Sequence, residues 1–561
     1  MKIIGVNYLS ESSVCFLKDG KLVSAISEER INRTKNWYGI PFKSIDLILD
    51  QNKLKYSDID YFVTSGISVR EKSVPDLKVY LKRIDKVKKS KLSNIKKNSQ
   101  IKFLKKRMKH EDNVINKRTK LILQKINKKF KNLLIYDHHL SHAASACFSS
   151  GFKNCFCLTI DGWGDNSSSK ILKFNKGNLS EITSSPTIDS MGYFYGSITK
   201  LLGFKPHQHE GKVLGLAAYG RHLKVIKEIK DMISFDLKTK QFLGNYEKGL
   251  YQATFDNKNL NFLKKKYSKK QIAFSAQDSL EKTVLKCVKS LSSKKINLVL
   301  AGGVFANVKL NQKICELKNI NKLFVFPNMG DGGLSIGGAQ LAFFEKTKKL
   351  PQKIKSMYLG PKFSDTIILK EIKKFNLDYT KPKNIEKEIA HLLSQGKVVA
   401  HFSKKMEFGP RSLGNRSILC SAEDASINQT LNKKLNRTEF MPFAPILRKK
   451  DALKYLMVSN KVDYKFMTFT LNCKSIMLKH APATVHVDKT ARPQIISKED
   501  NQRLYKILTE YRKITGVPIL INTSFNMHEE PIVCKPKDAI RAFLLGNLDC
   551  LVLENILVYK K

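Results

Sequence analysis

His138 and His142 stand four residues apart behind an apolar run in LLIYDHHLSHAASACFSSGF, and Asp161 follows nineteen residues after His142 in LTIDGWGD. Two imidazoles and a carboxylate drawn from two short segments form a set that can hold a divalent metal. Leu133 to Tyr136 predicts a strand, Asp137 an N-cap, and the Ala/Ser-rich stretch up to Gly151 a helix. Residues i and i+4 share one helical face, so both rings can point at one ion. Taken alone, the pair reads equally well as a cap and a packed ring; Asp161 and the motifs below favour metal. CFCLTID has the pattern of a buried strand, and its acid followed by two glycines suits a loop beside a ligand. Asp331, in GDGG at a strand end, offers a fourth ligand, although Asp before a helix is more often only a cap.

The elements that must position these groups repeat. IIGVNY is followed by SSVCFLKDGKLVSAIS with Asp19-Gly20 as a hairpin signal, and CFCLTID by SSSKILKFNKGNLSEI with Lys176-Gly177 near the turn. Two copies of a strand and hairpin predict a duplicated α/β domain with a nucleotide or metal cleft between its halves. NLVLAGGVFANVKLN adds a strand, then Gly302, Gly303 and Asn307, where glycines let a backbone approach a phosphate or ribose and Asn offers donor and acceptor. Pro351 and Pro361 interrupt the pattern, which divides the chain into domains 1–350 and 351–561.

Composition bounds the rest. A chain of 561 residues supports roughly two to four domains. It has no apolar window of about eighteen residues to span a membrane. MKIIGVNY enters a strand without a leader pattern, and ten scattered cysteines without CxxC pairs suit reduced thiols, so a cytoplasmic protein is expected. The formal charge of +52 is partly local, with twenty-one Lys/Arg against three acids from Lys78 to Lys131. Basic helices or a partly ordered insertion are expected there. RNA or an anionic membrane would suit such a segment, but the Lys excess continues through the chain, which favours a solvated cationic surface over a nucleic-acid partner.

The second domain aims cations at loops: Arg411 and Arg416 in MEFGPRSLGNRSIL, Arg492 in HVDKTARPQ, with Asn522, Thr523 and Ser524 in INTSFN. A planar guanidinium fork beside a glycine turn suits phosphate oxygens. These motifs, together with LGFKPHQHEGKVLGLAAYG, DHHLSHAASACF, IDGWGD and EPIVCKP, resemble the O-carbamoyltransferase family of nodulation factor and antibiotic biosynthesis. The resemblance covers nearly the whole chain. It implies an actin/Hsp70-like N-terminal domain similar to the tRNA threonylcarbamoyltransferase, and an α+β C-terminal domain similar to threonylcarbamoyl-AMP synthase. It further implies that carbamoyl phosphate and ATP give a carbamoyl-adenylate in the C-terminal domain, and that the N-terminal domain passes the carbamoyl group to a hydroxyl of a sugar or secondary metabolite. His138, His142, Asp161 and Asp331 would hold a metal, iron first and Mn or Zn as alternatives, with Mg as a further ion for ATP. Gly302, Gly303 and Asn307 would meet the adenylate; Arg411, Arg416, Arg492, Asn522 and Ser524 would line the activation site.

The chain departs from the family pattern twice. Ser10-Glu11 stands where the family has His-Asp, a candidate general base; Glu11, His207 or His209 then remain to take the acceptor proton. Before PFAP, Leu435 and Met441 replace a Lys and an Arg, leaving Lys433 or Lys434 to reach a phosphate. Two rival readings are a tRNA-modifying threonylcarbamoyl enzyme, favoured by the basic insertion, and a degenerate nucleotide-binding scaffold.

Overall fold

Two polar turns organise the first part of the chain. At Asp19-Gly20 and Lys176-Gly177 both residues have positive φ, 48° and 75° in one and 46° and 100° in the other, as a two-residue type I′ hairpin requires. The computed structural model describes residues 1–66, 77–109, 130, 132–248, 258–435 and 440–560. Strands β1 (Lys2–Asn7), β2 (Ser13–Lys18), β3 (Lys21–Ser27), β4 (Tyr61–Ser65) and β5 (Leu133–Tyr136) form a sheet of order β3-β2-β1-β4-β5. The second hairpin, β7 (Ser167–Asn175) with β8 (Asn178–Pro186), continues β6 (Asn154–Gly164). A small ribbon of β9 (Ile233–Asp236) and β10 (Gln241–Gly244) precedes β11 (Ile296–Ala301) and β12 (Ile320–Val325), and the second large sheet runs β8-β7-β6-β11-β12. In both sheets the strand preceding the hairpin pairs in parallel with the next strand outward, β1 with β4 and β6 with β11. The identical order establishes the duplicated actin/Hsp70-like α/β domain.

Helix His138–Ser150 packs on β6 and β11, helix Leu334–Thr347 packs on β1 and β4, and the two helices pack on each other. Their Ala, Ser and Gly content permits this close approach: a Cβ on Gly337 would lie 1.8 Å from the Ser141 carbonyl oxygen. The lysine-rich segment contains helix Leu77–Lys89 and a second helix over residues 94–109; residues 110–129 and 131, which complete the expected insertion, lie outside the described residues. No helix among the described residues is long and apolar enough to cross a membrane.

The chain divides into two compact units, one of Met1–Leu9, Val14–Leu22 and Leu54–Lys353, the other of Ser10–Ser13, Val23–Lys53 and Ile354–Lys561. The second unit is thus not contiguous. Its N-terminal pieces are tied in by hydrogen bonds: Ala25 N donates to Leu359 O at 3.1 Å, Arg30 Nη2 to Gly409 O at 3.0 Å, and Arg33 Nη1 to Ile532 O at 2.7 Å.

The second unit is α+β. Strands β13 (Asp378–Thr380), β14 (Val399–Phe402), β15 (Arg416–Ser421), β16 (Ala444–Arg448), β19 (Gln494–Ile496), β20 (Ile519–Ser524), β21 (Cys550–Leu553) and β22 (Ile556–Tyr559) form one mixed sheet, ordered β13-β22-β21-β14-β15-β20-β16-β19. Strands β17 (Leu471–Asn472) and β18 (Thr490–Ala491) pair separately. Helices Ile385–Ser394 and Gln502–Thr515 cover the sheet, burying Ile389, Leu393, Leu508 and Tyr511 against Val399, Leu419 and Leu520. Burial of each such apolar side chain contributes about 1.5–3 kcal/mol.

His401 in β14 is fully buried, with Nδ1 2.6 Å from the Gly414 carbonyl oxygen. Burial, reinforced by the Arg503 cation, pushes its pKa down from 6.5 to about 3. The folded state therefore keeps the ring neutral where the unfolded chain would protonate it, so this contribution to stability is complete above about pH 6.5 and fades as pH falls toward about 3. His401→Asn, whose amide can still donate to Gly414, should lower the melting temperature at pH 7 but flatten its decline between pH 6 and pH 4, as followed by thermal unfolding across that range.

Candidate functional site

The cluster is built on one helix start, one strand and one short turn. Asp137 caps helix His138–Ser150, its Oδ1 accepting from Leu140 N at 2.7 Å, and Gly151 closes the helix in the left-handed region. The helix thereby starts at His138, which presents His138 and His142 on one face with ring centroids 4.7 Å apart. Strand β6 does not give way to a loop at the acid and its glycines, as the sequence suggested. It continues through Asp161 to Gly164, with irregular pairing to β7 between Ile160 and Gly164. Asp161 is held by backbone donors on both oxygens, Oδ1 by Gly162 N at 2.6 Å and Oδ2 by Gly303 N at 3.1 Å. Asp331 opens a short 3-10 turn before helix Leu334–Thr347, yet its side chain caps neither element.

One ligand atom from each of His138, His142, Asp161 and Asp331 lies within 4.8 Å of the other three. His142 Nε2 stands 3.0 Å from Asp161 Oδ2 and 3.6 Å from Asp331 Oδ1; His138 Nε2 stands 3.5 Å from Asp331 Oδ1. Both imidazoles are fully buried, and none of their four ring nitrogens makes an aligned hydrogen bond. Burial lowers the affinity of His142 for a proton, but Asp161 and Asp331 outweigh it and raise the pKa to about 9. Burial likewise opposes charge on Asp161, yet His138 and His142 hold its carboxyl well below the usual range. Two buried imidazoles without aligned partners and two half-buried carboxylates together fit a divalent ion of borderline hardness. The adjacent His139 differs. Its Nδ1 meets Thr159 Oγ1 at 2.9 Å and its Nε2 the Ser167 carbonyl oxygen at 3.0 Å, so it is a satisfied core residue.

Gly302 and Gly303 lie beside Asp161 at the end of β11, but Asn307 is engaged elsewhere. Its Oδ1 caps helix Val308–Cys315 by accepting from Leu310 N at 3.0 Å, and its Nδ2 donates to Gln277 Oε1 at 2.8 Å. Of the base candidates, His209 precedes helix Glu210–Ala218, and its Nδ1 accepts from Lys205 N at 3.2 Å. His207 is exposed; Glu11, with a φ of 53°, belongs to the second unit.

In the second unit Glu407 organises the arginine loop. Its Oε1 accepts from the backbone N–H groups of Leu413, Asn415 and Arg416 at 2.8, 2.6 and 3.1 Å. Asn522 Nδ2 donates to Ser412 O at 3.4 Å and to Gln494 Oε1 at 2.7 Å, and Gln494 Nε2 donates to Leu413 O at 2.8 Å. With Ser524 opposite Ser417 in the ladder, these bonds bring the Arg411 loop, the Arg492 segment, Asn522 and Ser524 to one end of the sheet. Arg416 is a correction. It is fully buried over the Phe402 ring, and its Nη atoms donate to the carbonyls of Ser403, Asn415, Pro361 and Lys404. It secures the loop rather than facing a phosphate. Lys434 pairs with Asp549 at 3.3 Å, and residues 436–439 beyond it lie outside the described residues. Glu407 was missed in the sequence, although an acid directly before a glycine-rich loop is a recognisable signal.

A duplicated α/β domain bearing an imidazole–carboxylate cluster, joined to an α+β unit with an arginine loop, is the class of protein this chain represents. It belongs to the carbamoyltransferase family and is an enzyme of that kind: residues 2–340 match the family described as Carbamoyltransferase N-terminus, and residues 390–560 the one described as Carbamoyltransferase C-terminus. An uncharacterized protein of Methanocaldococcus jannaschii is 37% identical over 100% of this chain and 99% of its own. Nodulation protein NolNO of Sinorhizobium fredii is 29% identical over 99% of this chain and 79% of its own, and nodulation protein NolO of Bradyrhizobium diazoefficiens 30% identical over 76% and 79%.

The cluster leaves no room beside His138. A Cβ on Gly164 would lie 2.1 Å from its ring. Gly164→Ala should therefore displace that ring and weaken divalent-metal binding by roughly tenfold or more, the scale of losing good ligand orientation. Metal titration with circular dichroism as a fold control measures this; wild-type affinity in the folded variant would contradict the tight packing.

Proposed function

We propose that this carbamoyltransferase forms a carbamoyl-adenylate from carbamoyl phosphate and ATP in its second unit and transfers the carbamoyl group to a hydroxyl of a sugar or secondary metabolite in its first. The observation that carries the reading is the four-donor cluster within the residues matched to the carbamoyltransferase N-terminus. A divalent ion held by His138, His142, Asp161 and Asp331 would hold phosphate oxygens and polarise the carbonyl under attack. The backbone at Gly302 and Gly303 lines the same end of the sheet and can admit the adenylate closely. Arg411 and Arg492, with Asn522 and Ser524, bind the anionic reactants of activation: water releases inorganic phosphate from carbamoyl phosphate, and an oxygen of the resulting carbamate attacks the α-phosphorus of ATP with loss of pyrophosphate.

In transfer, the acceptor oxygen bonds to the carbamoyl carbon, AMP leaves, and the acceptor proton passes to a base. His209, in the unit that carries the cluster, is the residue left for that role, since Ser10 is too weak a base and the family histidine is replaced; Glu11 belongs to the second unit. Asn307 and Arg416 act structurally, the first as a cap and the second as the loop anchor.

The two half-reactions separate the sites. Arg411→Ala should reduce pyrophosphate release from ATP and carbamoyl phosphate by on the order of a hundredfold, the loss expected for charged hydrogen bonds. His142→Ala should spare that release while blocking transfer, and His209→Asn should spare both release and metal content while slowing transfer. Equal loss of pyrophosphate release in the folded Arg411 and His142 variants would contradict the two-site scheme.

A further inference from the structure

The short helix Lys449–Tyr455 in the second unit has two unlike faces. Asp451, Ala452 and Tyr455 are buried, whereas Lys449, Lys450, Leu453 and Lys454 are exposed. Leu453 is 65% exposed and stands one turn along from Lys449 and Lys450 on the outer face. Past the helix, the chain pairs with the segment that leads into helix Ser475–His480: Leu456 bridges Cys473, and Met457 N donates to Asn472 O at 3.0 Å. Met457 is 61% exposed there. Lys474 N donates to Tyr455 O at 2.9 Å, and its Nζ donates to Leu453 O at 2.6 Å. Leu478, one turn along from Lys474, is 37% exposed, and exposed Lys479 follows it. Three apolar side chains thus emerge among lysines from elements bonded to one another. The nearby acids are turned to other partners. Asp451 accepts from Arg448 Nε at 2.6 Å and from Arg512 Nη1 at 3.2 Å. Asp488, beside the Lys489 whose carbonyl accepts from Cys473 N, accepts from Thr490 Oγ1 at 2.6 Å.

We propose that this face is a docking surface for an anionic lipid membrane, to which the protein attaches peripherally. Charge complementarity selects the occupant. Ammonium groups meet phosphate headgroups while the apolar side chains between them enter the boundary with the acyl chains, and the lysine stems bury alongside. A second copy of the chain would set lysine against lysine. The core of a protein–protein interface is depleted in lysine, yet here Lys449 and Lys450 lie directly beside Leu453, and Lys474 beside Leu478. A nucleic-acid backbone would satisfy the lysines and leave Leu453 and Met457 in water. The surplus of 101 Lys and Arg over 49 Asp and Glu draws the chain toward any anionic surface, and the apolar residues decide which part of it makes contact. Attachment of this kind requires neither a spanning helix nor carbamoyl chemistry.

Flotation of the full-length protein with vesicles of phosphatidylcholine alone, and of phosphatidylcholine mixed equally with phosphatidylglycerol, tests this. Saturable binding to the mixed vesicles only, weakened by salt, is expected. Leu453→Ser combined with Met457→Ser keeps every charge and should weaken that binding by on the order of a hundredfold, the scale of withdrawing two apolar side chains from the acyl boundary. Lys449→Gln combined with Lys450→Gln should weaken it by roughly fivefold per lysine. Lys264→Gln combined with Lys265→Gln, at exposed positions of helix Asn261–Lys266 in the first unit, should leave it unchanged. All six side chains are exposed, so thermal unfolding of the variants should match wild type. Binding undiminished in the Leu453, Met457 variant, or weakened equally in the Lys264, Lys265 variant, would reveal diffuse attraction to the charge of the chain and overturn the proposal. Failure to bind the mixed vesicles would overturn it as well. So would a lipid-free dimer in sedimentation equilibrium that the Leu453, Met457 variant dissociates, since the face would then belong to a second copy.

Discussion

Burying two imidazoles without aligned hydrogen-bond partners is the constraint on which the rest of the first unit depends. A buried polar atom left unpaired costs about 1–3 kcal/mol, and His138 and His142 contribute four such nitrogens. The fold offsets this with charge. Asp161 and Asp331 face the rings, and Asp161 is itself oriented by the backbone of Gly162 and Gly303. The arrangement is rigid for reasons away from the chemistry. The helix carrying both histidines can approach helix Leu334–Thr347 only because small residues face it, and that second helix follows the turn holding Asp331. Shifting the first helix would move both histidines at once, and shifting the second would disturb the turn that holds Asp331.

The second unit solves a different electrostatic problem. Arg416 is buried without an adjacent carboxylate bonded to its side chain, and burial lowers its pKa to about 10. Four carbonyls and the Phe402 ring stabilise the cation. Glu407 contributes negative charge nearby while accepting three backbone N–H bonds from the same loop. The loop that carries Arg411 is thus held by two charged residues, Arg416 through its side-chain bonds and Glu407 through the backbone.

Features governed by local chemistry were legible in the sequence. Asp137 and Gly151 bound the histidine helix because capping is a local rule, and the Asp-Gly and Lys-Gly turns located both hairpins of the duplicated domain. The spacing of His138 and His142, with Asp161 and Asp331 in glycine-flanked acidic motifs, led to four residues that the fold brings together. What required tertiary packing was not legible. Asn307 is held by Gln277 from a distant helix, and Arg416 looked like Arg411 until the carbonyls around it were placed. Nothing in Ser10–Ser13 or Val23–Lys53 announces that they join the second unit, nor does a run of lysines announce that Arg107 meets Trp163.

The central claim is that the four-donor cluster holds the metal. Crystals of the full chain grown with a divalent ion, with diffraction recorded on either side of its absorption edge, test it most directly. The account predicts one anomalous peak bounded by His138, His142, Asp161 and Asp331, absent from the His138→Ala, His142→Ala double variant. An ordered ion bound elsewhere, with the four side chains still facing one another and no peak between them, would contradict it.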